Sequence, residues 1–74
     1  MTLNRFNYIK QNFDKFEGKK IEYTYYIPSA DMYKTTQGIL LEVGTEANAG
    51  CLIVQSGYGM ASVYYGNIRK IFNN

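Results

Sequence analysis

A chain with no histidine and a single cysteine has few routes to covalent chemistry. Acid–base work would fall to six carboxylates, to lysine or to tyrosine. The carboxylates are Asp14, Glu17, Glu22, Asp31, Glu42 and Glu46, scattered along the chain with no evident pair. Cys51 opens the apolar run CLIVQS, where a small buried hydrophobe fits better than a nucleophile. One cysteine allows no internal disulfide, and no set of thiolate, imidazole or carboxylate groups has the spacing that zinc requires. The GYG at 57–59 leads into a predicted strand, whereas phosphate cradles lead into a helix N-terminus. These residues point to no catalysis, no metal and no cofactor.

Cations beside aromatics are a different matter. Lys19-Lys20 and Arg69-Lys70 stand near the two ends of the predicted sheet, and Arg5, Lys10 and Lys15 lie on the N-terminal segment. The chain has eight tyrosines and four phenylalanines but no tryptophan. Lysine and arginine hold phosphates, and aromatic rings stack on bases, so the combination is that of a single-strand-binding surface. Lys19, Lys20, Arg69 and Lys70 are the candidate phosphate contacts, and Tyr26, Tyr58 and Tyr64 the candidate stacking rings. Tyr58, between two glycines at a predicted hairpin tip, would serve equally as an anchor for a protein partner. Tyr23, Tyr25 and Tyr65 are assigned to the core or its rim. Plainer roles compete: lysines at strand ends block edge pairing, and tyrosines on solvated faces pair across strands. The net charge of +2 is well short of the strongly basic balance typical of nucleic-acid-binding domains.

The elements that must position these residues follow from periodicity. Residues 2–16 place Leu3, Phe6, Ile9, Phe13 and Phe16 on one helical face, with Thr2 as N-cap and Gly18 as the stop. The segment 19–27 alternates as a strand, with Ile21, Tyr23, Tyr25 and Ile27 on one side and Glu22, Thr24 and Tyr26 on the other. A turn at 28–31 leads into a long strand, 32–43, whose Gly38 marks a bend. A glycine-bounded loop (44–50) precedes a hairpin formed by 51–56 and 60–65. Gly66-Asn67 then breaks the chain before a last strand, 68–72, and this break reads as a tight, often 3₁₀, turn that lets the last strand lie beside the first. Phe6, Ile9, Phe13, Ile21, Ile39, Leu41, Val54, Val63, Ile68 and Ile71 are the expected core.

This order of one helix and five strands resembles the SH3-like and Sm-like small barrels over about residues 19–72. The strand TTQGILLEV resembles their bent second strand, and YYGNIRKI their glycine turn before the last strand. A related pattern occurs in YolD-like proteins. The resemblance implies a mainly β, α+β fold: an N-terminal helix (1–18) and a five-stranded small barrel in a single domain, 1–74. Where the Sm-type RNA loop has an aspartate, a hydrophobic residue and an asparagine, this chain reads GTEANAG, with Asn48 in a comparable place. Tyr65 stands where the family's last turn carries arginine.

Seventy-four residues bury only about 60% of the surface of the unfolded chain, so packing or association must supply the stability. No run approaches the roughly 18 apolar residues of a membrane span, and the N-terminus has no signal-peptide core. A lone cysteine fits a reducing, cytoplasmic setting. The sequence thus reads as a non-catalytic binding module, with nucleic acid as the leading partner. The alternative is a protein–protein interaction module: a homo-oligomer subunit, or a small phage or mobile-element inhibitor or adaptor.

Overall fold

A computed structural model of the chain describes residues 1–57 and 59–73; Tyr58, singled out above, lies outside them. Thr2 begins the helix as expected, its side-chain oxygen accepting from the Arg5 amide at 3.2 Å. That cap satisfies one of the donors a helix start leaves unpaired. The helix α1 (Leu3–Gln11) ends well before residue 16. Asn12 stops it: its side-chain amide and its backbone N–H both donate to the Tyr8 carbonyl, at 2.9 and 3.1 Å. Asparagine side chains compete for backbone groups in this way, which is why they favour helix ends. A 3₁₀ turn at Phe13–Lys15 follows and changes which phenylalanine enters the core. Phe16 is buried, whereas Phe13 is only half-buried and Leu3 is exposed. Gly18, at φ +85°, then turns the chain into the sheet.

The sheet comprises β1 (Lys20–Ile27), β2 (Met32–Val43), β3 (Cys51–Ser56), β4 (Gly59–Tyr64) and β5 (Ile68–Ile71). All pairings are antiparallel, in the order β4-β3-β2-β1-β5. In β1 the expected alternation holds over the first half, with Ile21 and Tyr23 buried, and fades beyond it, where Tyr25, expected in the core or its rim, is 36% exposed. The register then fixes β2, because Ile21 pairs with Gly38 and partners across a ladder share a face. Even-numbered positions of β2 up to Leu40 therefore share the inward face, so Leu40 is fully buried while Ile39 is 39% exposed. The expected core positions Ile39 and Leu41 are corrected accordingly: Leu41 sits at an irregularity between Leu40 and Glu42 and is half-buried. Gly38 is not itself the irregularity. A Cβ there would stand 2.9 Å from the Gln55 carbonyl oxygen, so glycine permits β2 and β3 to approach closely.

The break at Gly66-Asn67 is a 3₁₀ turn, Tyr65–Asn67, and it does bring β5 beside β1. Ile68 is buried, and Ile71 is half-buried against the core. The amino nitrogen of Met1 donates to the carbonyls of Tyr65 and Ile68, at 3.2 and 2.8 Å, tying the start of the chain to this corner. No ladder joins β4 to β5, so the sheet is not closed. β4 and β5 remain the two edges, and the fold is an α+β, mostly β arrangement of one helix and an open five-stranded sheet. Its core joins Phe6, Ile9 and Phe16 to Ile21, Tyr23, Leu40, Leu52, Val54, Val63 and Ile68.

Candidate nucleic-acid interface

Antiparallel pairing of β5 with β1 sets Lys70 opposite Glu22 and lets the Phe72 amide donate to the Lys20 carbonyl at 2.9 Å. Lys70 and Phe72, two apart on an extended segment, lie on the same side of it, and Lys20 reaches the ring from the neighbouring strand. The Lys70 Nζ stands 4.7 Å from the Phe72 ring centroid and the Lys20 Nζ 5.8 Å. Both are within the roughly 6 Å over which a ring quadrupole attracts a cation. Phe72 is half-buried, while both lysines are exposed. Arg69, exposed as well, places its Nε 3.6 Å from a Glu22 carboxylate oxygen. With Arg69 60% exposed this is a surface ion pair, which screening limits to at most about 1 kcal/mol. Three cations thus share one strand pair with one carboxylate and an aromatic ring.

Of the residues singled out from sequence, the structure brings Lys20, Arg69 and Lys70 together. Lys19 is half-buried just ahead of β1, and its carbonyl accepts from the Leu40 amide at 2.8 Å. Tyr26 lies at the far end of β1, six residues or about 20 Å from Lys20 at strand rise. There it packs against Tyr33, with ring centroids 5.2 Å apart, and donates its phenol to the Asp31 carboxylate. That hydrogen bond, with a smaller desolvation effect, raises the Tyr26 pKa above the ordinary 10.0. Tyr64, on β4, has its ring 4.5 Å from that of Tyr65, which in turn stacks on Phe6 at 5.3 Å. A hydrogen bond with Tyr65 is the main reason the Tyr64 pKa is raised. Neither tyrosine joins the basic cluster. The ring that does, Phe72, escaped the sequence reading, although its i, i+2 spacing from Lys70 on the last strand carried the signal.

Two further cations are engaged elsewhere. The Arg5 guanidinium lies 5.5 Å from the Tyr8 ring and 5.4 Å from the Phe16 ring, and Lys10 lies over Phe6 at 5.8 Å. Cys51 is on the outer face of β3, paired with Tyr64 and half-buried, not in the core as expected. Among the described residues, no three cysteine, aspartate or glutamate side chains gather as metal ligands. Among the described residues, no helix is long and apolar enough to cross a membrane. Comparison with protein-family models, curated proteins and solved structures returns no match to this chain.

Proposed function

We propose that this chain is a non-catalytic module of the SH3-like and Sm-like small-barrel type that binds single-stranded nucleic acid along the β1/β5 pair. The observation that carries the reading is the Phe72 ring flanked by the Lys20 and Lys70 ammonium groups. A base stacks on such a ring without regard to sequence, and the flanking cations meet the phosphates on either side of it. Arg69 contributes less, because Glu22 already holds it. The 3₁₀ corner before β5 and the pairing of β5 with β1 support the small-barrel assignment.

Titration of a labelled single-stranded oligonucleotide at several salt concentrations tests the reading. Binding should weaken with salt at a log–log slope of about −0.7 per phosphate contact. The double variant Lys20→Ala/Lys70→Ala should flatten that slope by about 1.4, two contacts' worth. Phe72→Ala should weaken binding by about 1–3 kcal/mol with little change of slope. Wild-type binding that is absent at low salt would rule the reading out.

One observation favours the second reading, self-association. Edge strands are normally protected by charge, proline or a bulge. β5 carries Arg69 and Lys70, whereas the β4 edge, GMASVY, has no charge and no proline and pairs with β3 in unbroken register. Strand pairing between two copies along β4 would cover it. Light scattering then reads a dimer that Ser62→Lys returns to monomer; a wild-type monomer at high concentration excludes this arrangement.

A further inference from the structure

The inner face of the β3–β4 hairpin shrinks in steps toward its turn. Its successive facing pairs are Leu52 with Val63, Val54 with Ala61, and Ser56 with Gly59. The opposing strand does the reverse, passing from Ile21 to Tyr23 and Tyr25 on its inward side. The result is a cavity of about 400 Å³ at the end of the sheet, with the two tyrosines and Thr36 on one side and Ser56, Gly59, Met60 and Ala61 on the other. The N-terminal helix contributes nothing to this lining. Gly59 is fixed by its backbone, at φ +117°, but no backbone constraint of that kind holds Ala61 or Ser56 small. Larger apolar side chains there would fill the space and add to a core that is marginal at this length.

We infer that this cavity is a binding site for an uncharged, planar aromatic molecule of about two fused rings. Size, shape and polarity each contribute to that assignment. An apolar cavity of about 150 Å³ accommodates benzene, so one of 400 Å³ has room for a larger ring. Tyrosine rings opposite the small Ser56, Gly59 and Ala61 and the flexible Met60 form a slot suited to a flat ligand, since rings prefer offset-stacked or edge-to-face contact. Among the described residues, no charged side chain lines the space, and the polar side-chain groups are the hydroxyls of Tyr23, Tyr25, Thr36 and Ser56. The Ser56 hydroxyl donates to the Gly59 carbonyl at 3.1 Å, which braces the hairpin side of the slot. A charged ligand would enter this lining without a counter-ion, at a desolvation cost that a neutral ring avoids. The site is separate from the Lys20–Phe72–Lys70 cluster, so either can fail without the other.

Indole is a suitable probe, observed by amide chemical shifts in isotopically labelled full-length protein. Titration should perturb the amides of Tyr23, Thr36, Gly59 and Ala61 in a saturable manner and raise the thermal midpoint, since a ligand that binds only the native state stabilises it. Indole-3-acetate should bind more weakly than indole. Ala61→Leu should fill the slot and abolish the saturable shifts; if that variant does not fold, Ala61→Val supplies a smaller filling with a partial loss. Absence of saturable shifts at the solubility limit of indole overturns the inference. So does binding that persists undiminished in a folded filling variant, or acetate-bearing indole binding as well as indole.

Discussion

Leu40 and Ile39 are adjacent and chemically alike, yet their truncation should have unequal consequences. Leu40→Ala empties a fully buried site and should cost about 2–5 kcal/mol in urea unfolding, whereas Ile39→Ala, on the outer face, should stay within about 0.5 kcal/mol. Equal costs would contradict the β2 register. Tyr26 permits a test by pH. Its folded pKa is raised by the Asp31 hydrogen bond, so the neutral phenol is favoured in the native state. The stabilisation is therefore complete below pH 10 and lost as pH rises through the higher folded value. Urea midpoints should fall above pH 10, and Tyr26→Phe should reduce that fall. At this scale the sequence was legible where alternation was unbroken, as at Ile21 and Tyr23. Phe72 was legible only in part: its spacing from Lys70 is local, but Lys20 joins the ring from a strand far away in sequence.

Two elements departed from their expected form for local reasons. The helix was legible at its start, where Thr2 and the apolar spacing agree, but not at its end, where Asn12 redirects the chain before the pattern of phenylalanines runs out. Thr2→Ala should cost about 1 kcal/mol by removing the cap, measured by thermal or urea unfolding. The second strand was legible in length but not in facing. A glycine and a ladder irregularity interrupt its alternation, and only the pairing with β1 reveals which side is inward. Gly38→Ala should destabilise the protein by about 1–3 kcal/mol, because the new methyl would press on the Gln55 carbonyl, a backbone atom with little room to yield. A neutral outcome would mean that β2 and β3 are less closely apposed than described.

For the whole molecule, an open sheet packs against a helix and the 3₁₀ turns that flank them, and the uncharged β4 and the cationic β5 give the sheet's two edges opposite character. A net charge of +2 attracts nucleic acid only weakly, so the functional reading rests on local concentration of cations around Phe72 rather than on the overall field. The chain has no tryptophan, so Phe72→Trp installs a single indole at the proposed stacking position. Its fluorescence, followed while a single-stranded oligonucleotide is added, tests the claim most directly. The predicted result is saturable quenching whose midpoint shifts to higher oligonucleotide concentration as salt is raised. Emission that stays unchanged while the oligonucleotide binds elsewhere, or does not bind at all, would contradict it.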